Sequence, residues 1–202
     1  MKENYRLLME AEIKNSKSKG EKPTLLLQCC CAPCSSAVLE ELKEHFRLKL
    51  YFYNPNIYPK EEYDKRLSQF DKLLSSPYFL GCTELIPSVY EPEKFETAIA
   101  GLENEKEGGR RCEECFRLRL FETAKKAKEI GADYFCTTLT VSPHKNAALL
   151  NETGIRAEKE YGVKFLRSDF KKKDGYKRST ELSNELGLYR QNYCGCKYSI
   201  WF

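Results

Sequence analysis

Apolar positions along the chain switch between short continuous runs and helical repeats. Thr24–Gln28 (TLLLQ) is an apolar run of strand length, and residues 35–46 (SSAVLEELKEHF) carry apolar side chains every three to four positions, as an amphipathic helix does. Residues 48–53 (LKLYFY) predict a second strand, broken by Asn54-Pro55-Asn56. Pro59 then takes the first-turn position of a charged helix over Lys60–Leu74. A weaker third strand is expected over 83–89 and a helix over 92–101, and the polar, glycine-containing stretch 102–109 reads as a mobile loop. Residues 110–130 predict one long helix capped by Gly131, 134–139 a fourth strand, 146–161 a helix, 163–166 a fifth strand and 179–186 a last helix. Strands alternating with helices imply right-handed crossovers. The expected fold is a single α/β domain over 1–202: a five-stranded, mostly parallel sheet flanked by helices, a helical arm over 1–22 and a C-terminal extension over 175–202. Ligands of such sheets bind at the carboxyl ends of the strands, so segments 28–34, 54–58, 138–144 and 168–175 should converge on the site.

Composition narrows the class. In 202 residues, 41% are hydrophobic and 32% charged, which excludes a disordered or fibrous chain. No apolar run approaches the roughly 18 residues that span a bilayer, and residues 1–22 lack the apolar stretch of a secretory signal, so a cytoplasmic location without a membrane partner is expected. Against that background stand 10 cysteines beside only 2 histidines. In reducing surroundings a clustered set holds metal or performs redox chemistry rather than forming a disulfide scaffold. A net charge of +4 is too small to diagnose nucleic-acid binding, but its distribution is uneven. Lys171, Lys172, Lys173, Lys177 and Arg178 are followed by Tyr176, Tyr189, Arg190, Tyr193, Lys197 and Tyr198. Interleaved bases and aromatics suit phosphate neutralisation and base stacking, and equally a solvated basic loop.

Eight cysteines fall in three groups: Cys29, Cys30, Cys31 and Cys34 in QCCCAPCSS, directly after the first strand; Cys112 and Cys115 in RRCEECFRLR; and Cys194 and Cys196 in YCGCKYS. Three-residue spacing puts Cys112 and Cys115 on one face of the long helix, at its N-terminal end, where the dipole with Arg110 and Arg111 should favour thiolate. Cys31 and Cys34 repeat the spacing at the start of the next helix. Four such thiolates suit a zinc ion or an iron–sulfur cluster. Adjacent Cys30 and Cys31 wrap one small ion poorly, and their place at the ligand end of the sheet favours the cluster. A disulfide between Cys194 and Cys196 would close a small, strained and easily reduced ring, which makes them a redox switch, a surface pair or extra metal ligands. Cys82 and Cys136 read as packing residues. His45 and His144 read as structural, although His144 stands at the functional edge.

Taken in order, CCAPCS after the first strand, NPNIYPKEEYDKR after the second, RCEECF, TTL followed by SPHKN, SDFKKKDGYKRS and YCGCKYS resemble the cobalamin-independent epoxyqueuosine reductases, the QueH family, over residues 25–199. The resemblance implies reduction of epoxyqueuosine to queuosine at the wobble position of tRNA, the last step of that modification. It also implies a fold similar to the nucleotide-binding domain of tRNA-thiolating enzymes. Carried over by position, Cys30, Cys31, Cys112 and Cys115 would ligate a [4Fe-4S] cluster, and Cys194 and Cys196 would form the redox-active pair. A second metal, iron or zinc, is implied beside the cluster, with Cys34 and Asp169 as candidate ligands. The implied partners are tRNA carrying epoxyqueuosine in its anticodon loop and an external low-potential electron donor. Cys29 departs from the pattern, and alternation along the chain turns it toward the core. Two rival readings carry different consequences. An ATP-dependent tRNA thiolase would need a glycine-rich phosphate loop where CCCAPCSS stands, and a non-enzymatic, zinc-stabilised RNA-binding module would be colourless.

Overall fold

Residues 3–17 and 22–199 are described by a computed structural model. The ends of the helical arm, 1–2 and 18–21, and the last three residues lie outside the described part. Five strands, β1 (Thr24–Gln28), β2 (Arg47–Tyr51), β3 (Thr83–Ile86), β4 (Tyr134–Thr137) and β5 (Lys164–Phe165), form one sheet in the order β3-β2-β1-β4-β5. Every pairing is parallel, so the expected mostly parallel sheet is wholly parallel. Leu25 of β1 lies opposite Leu48 of β2 and Tyr134 of β4, which places the three central strands in step.

Period-two alternation divides each central strand between two cores. Leu25, Leu27, Leu48, Leu50, Tyr134 and Cys136 face one side, which is covered by α1 (Tyr5–Lys17), α2 (Ala32–Leu42) and α3 (Lys60–Leu74). Leu26, Tyr51 and Phe135 face the other, where α5 (Arg110–Glu129) brings Phe116, Leu120 and Ala124 and α6 (Ala147–Tyr161) brings Leu150 and Ala157. Continuous apolar strands are what a sheet buried on both faces requires. A satellite cluster joins α4 (Pro92–Ala98) to the C-terminal segment through Phe95, Ile99 and Cys196. The last helix, α7 (Gly175–Glu185), packs closely on α2 and so belongs to the first layer.

Several boundaries differ from the expected ones. Helix α2 starts at Ala32 rather than 35, because Ala32-Pro33 fit a first helical turn and the Cys31 sulfur accepts the Cys34 N–H at 3.5 Å as an N-cap. Pro59 stands one position outside α3, as its N-cap, after a cis Tyr58–Pro59 bond. Strand β4 ends at Thr137, whose hydroxyl accepts the Leu139 N–H and tightens Thr138–Val141 into a 3-10 turn. Helix α7 begins at Gly175, where any β-carbon would lie 1.8 Å from the Phe170 carbonyl oxygen. The 102–109 stretch is tied down, since the Arg111 guanidinium donates to the carbonyls of Glu103 and Glu105. Among the described residues, no helix is long and apolar enough to cross a membrane.

Candidate active site

The strand order reverses between β1 and β4, and at that switch point an open α/β sheet leaves a crevice beyond its carboxyl ends. The polar residues that end the apolar strands meet there in one buried network. Gln28 at the end of β1 accepts from the Thr137 hydroxyl at 2.8 Å and donates through Nε2 to the Tyr53 carbonyl at 3.1 Å. Asn54, just past β2, donates to the Cys29 carbonyl at 2.8 Å and accepts from Arg119 Nη2 of α5 at 2.6 Å. Thr138 accepts the Cys30 N–H at 3.2 Å and directs its hydroxyl to the Cys30 sulfur at 3.4 Å. Four elements thus fix the backbone of the cysteine turn. Burial makes each of these bonds expensive to lose, because an unpaired partner would have no water to turn to.

On this turn Cys29 points into the first core, as alternation predicts, with its sulfur 3.3 Å from the Leu27 carbonyl oxygen and its thiol pushed up by burial. The sulfurs of Cys30, Cys31 and Cys34 lie within 4.8 Å of one another, close enough to share a metal ion. Cys30 is held well below the ordinary thiol range, first by the thiols of Cys31 and Cys34 donating to it and then by the charge of Arg119. Cys31, which keeps its proton for Cys30, is pushed up to about 12. Cys34 is raised for the same reason.

The other four clustered cysteines gather on the far side of Arg119. Cys112, Cys115, Cys194 and Cys196 line a small cavity of about 30 Å³ with Arg119 and Lys145. Cys194 is held well below the usual thiol value, first by the Cys196 thiol donating to it, with help from Lys145 and the Ser199 hydroxyl 3.0 Å away. Cys196 is correspondingly raised. The expected helix-terminus effect does not prevail at Cys112 and Cys115, where burial raises both thiols. Arg111 is turned toward the carbonyls of 103 and 105 and lies over the Tyr198 ring at 5.1 Å, which limits what it does for Cys112. All ten cysteines are free thiols, so Cys194 and Cys196 stand as a dithiol rather than a disulfide. Cys30, Cys31 and Cys34 thus gather at the turn, and Cys112, Cys115, Cys194 and Cys196 line the small cavity, with Arg119 in the lining of both the cavity and the cleft that Cys30 and Cys34 reach.

The Cys194–Cys196 segment is anchored from α3. Arg66, only 2% exposed, pairs with Glu62 at 2.7 Å and donates to the Cys194 carbonyl at 3.1 Å and the Tyr193 carbonyl at 3.5 Å. Gly195 is required here. Its φ of +101° is left-handed territory, and a β-carbon would meet Arg66 Nη1 at 2.9 Å and Ile57 Cγ1 at 3.0 Å. Asp169 is buried past β5 with Oδ1 lacking a hydrogen-bond partner, 3.9 Å from Lys171 Nζ and outside the turn's sulfur triad.

Above the thiols opens a cleft of about 550 Å³, reached by Cys30, Cys34 and Cys194. Arg66, Arg119, Lys145 and Arg190 line it against Glu107, so its walls are cationic. The basic and aromatic tail is less available than its sequence implies. Lys171 donates to the carbonyls of Ser142 and Lys145, Lys173 pairs with Glu10, Arg178 with Glu40, and Lys197 with Glu96. Tyr189 donates to Glu62. What faces the cleft is Tyr176, 40% exposed, with the Arg190 guanidinium 5.1 Å from its ring centre, and exposed His144 at the rim. Two of the isolated residues also need correction: Cys82 is exposed and packs no core, and His45 lies beyond the end of α2. Gln28, Asn54, Arg119 and Lys145 lie inside the segments QCCCAPCSS, NPNIYPKEEYDKR, RRCEECFRLR and SPHKN, but nothing in those segments singles them out as site residues. Their one sequence signal is a polar residue ending an apolar strand, which marks Gln28 and Asn54 alone.

A parallel nucleotide-binding-like sheet whose switch point carries converging thiols, one group of them spaced for metal, defines a thiol-centred enzyme of the redox or metal-dependent kind. Comparison with known proteins names it further. Residues 25–201 match the family model described as epoxyqueuosine reductase QueH. Curated relatives carrying that same name include those of Staphylococcus epidermidis (43% identical, 97% of this chain and 84% of the relative), Streptococcus pyogenes serotype M1 (42%, covering 97% and 78%) and Thermotoga maritima (38%, covering 88% and 90%). The chain belongs to the QueH family.

Proposed function

We propose that this protein reduces epoxyqueuosine to queuosine in tRNA. The observation that carries the reading is the family match over 25–201, with Cys30, Cys34 and Cys194 of its cysteine motifs reaching one cleft. The balance is one epoxide, two electrons and two protons in, and one alkene and one water out. A cleft of about 550 Å³ has room for a modified nucleoside, and its cationic walls suit a polyanion. An unpaired anticodon base is reached by splaying it from the loop and stacking it on an aromatic face. Tyr176 with Arg190 is that face in our reading, in place of the Lys171–Lys173 run, in which Lys171 donates to backbone carbonyls and Lys173 pairs with Glu10. A tRNA substrate agrees with the cytoplasmic location expected from the sequence.

The donor chemistry fits an iron–sulfur centre, since soft thiols are supplied in excess of a single four-ligand site and Cys30 is already disposed to lose its proton. Cys30 and Cys31 from the turn and Cys112 and Cys115 from α5 would hold a [4Fe-4S] cluster, which supplies one-electron transfer when bound. Cys34 and Asp169, whose buried Oδ1 has no hydrogen-bond partner, are the candidate ligands of a second metal, iron or zinc. Cys194 and Cys196 then serve as a two-electron reserve. Oxidation of the pair to a disulfide releases two electrons and two protons, which matches what the epoxide consumes. An external low-potential donor restores the dithiol. Anaerobic protein should be brown, with sulfide and at least as much iron, and Cys194→Ser or Cys196→Ser should abolish turnover while leaving iron content unchanged. Full turnover in both variants with a chemical reductant would remove the pair from the mechanism, and a colourless, zinc-containing protein would remove the cluster.

A further inference from the structure

We propose that Arg119 is the counter-cation of the thiol centre, held by Asn54 at the junction of the two thiol groups so that its charge sets how readily that centre accepts an electron. The inference rests on the reading that the centre carries an iron–sulfur cluster. Arg119 is 4% exposed, yet among the described residues no carboxylate lies within ion-pair distance of it. Its hydrogen-bond partner is the neutral Asn54 amide oxygen at 2.6 Å, and its Nε is buried with no partner at all. A buried guanidinium in that condition is costly unless an anion compensates it.

The anions available are sulfurs. Arg119 lines both the large cleft beside Cys30 and Cys34 and the small cavity beside Cys112 and Cys115. It also rises from the middle of α5, two turns past Cys112, on a helix packed against β1 and α6, so it cannot swing out to solvent as a surface arginine would. The structure therefore places a fixed positive charge in the lining of both cavities, one shared with Cys30 and the other with Cys112 and Cys115. Adding an electron there is opposed by the negative charge of the sulfurs and favoured by the guanidinium. Arg119 touches no reacting atom in this account, and acts as a positioning and electrostatic residue.

The test is the reduction potential of protein reconstituted anaerobically with iron and sulfide, without RNA, for wild type, Arg119→Gln and Arg119→Lys. Arg119→Gln should bind the same iron and sulfide and be at least tenfold harder to reduce, a shift of 59 mV or more to the negative for one electron. Arg119→Lys, which keeps the charge, should recover most of that shift. An unchanged potential in Arg119→Gln, or an Arg119→Lys as displaced as Arg119→Gln, overturns the proposal. Lost turnover with an unmoved potential overturns it while leaving the reductase reading in place. Wild-type protein that takes up no iron overturns it together with the cluster. Equal thermal midpoints for the three proteins exclude misfolding as the cause of a shift.

Discussion

Replacing Asn54 with alanine tests the buried network that holds the cysteine turn. Asn54 is 1% exposed, and its amide joins three elements: Nδ2 donates to the Cys29 carbonyl at 2.8 Å, and Oδ1 accepts from Arg119 at 2.6 Å. Losing the bond to a charged partner costs about 1.5–3 kcal/mol, and losing the neutral one about 1 kcal/mol. The second loss is softened because Gln28 Nε2 also reaches the Cys29 carbonyl, at 3.3 Å. The sum is roughly 3 kcal/mol, which for a chain of this size lowers the melting temperature by about 10 °C. Urea titration of the metal-free protein should show that loss with an unchanged slope. In an Arg119→Met background the same substitution should cost only about 1 kcal/mol, because the guanidinium it would strand is gone. The double-mutant cycle therefore predicts a coupling of about 2 kcal/mol. Additivity within about 0.5 kcal/mol would refute the reasoning, since it would mean that the 2.6 Å contact does no energetic work.

Three further outcomes follow from other parts of the molecule. Gly154→Ala in α6 would ordinarily strengthen a helix, but here the new β-carbon falls 2.4 Å from the buried Phe165 ring, so calorimetry should show a net loss of about 1–2 kcal/mol. The Arg178 guanidinium, 2.7 Å from Glu40, holds that carboxyl below its usual range; its contribution is therefore present above the ordinary carboxyl pKa and lost as pH falls through the lowered one. Arg178→Gln should accordingly remove about 0.5–1 kcal/mol at neutral pH, and the variant should lose less stability than wild type between about pH 5 and about pH 3. Tyr176→Ala and Arg190→Ala should each weaken tRNA binding by about 1–2 kcal/mol, with Arg190→Ala alone flattening the salt dependence, as filter binding at graded salt would show.

How far the sequence reaches depends on how local each cause is. The bounds of β1 and α3 are legible because an apolar run and a charged, proline-led repeat each determine their own structure. Strand β4 is overrun in the sequence reading because Thr138 and Leu139 favour strands, whereas a single side-chain bond from Thr137 turns the chain there. The edge at which the cysteines gather is legible from strand–helix alternation alone. Their partition is not, since it depends on where Arg119 and Lys145, distant in sequence, project between α5, the turn and the tail. The basic tail misleads for the same reason: Glu10, Glu40 and Glu96, which engage Lys173, Arg178 and Lys197, lie in α1, α2 and α4, 101 or more positions away from them. Thiolate character is likewise a tertiary outcome, because burial overrides the helix terminus at Cys112 and Cys115 while neighbouring thiols reverse the balance at Cys30.

The central claim is tested most directly by incubating the anaerobic, iron-loaded protein and a low-potential reductant with tRNA that carries epoxyqueuosine, then digesting the RNA and weighing its nucleosides. The account predicts that epoxyqueuosine is replaced by a nucleoside lighter by one oxygen atom that coelutes with queuosine, in an amount exceeding that of the protein. Epoxyqueuosine recovered unchanged from folded, iron-loaded protein would contradict it.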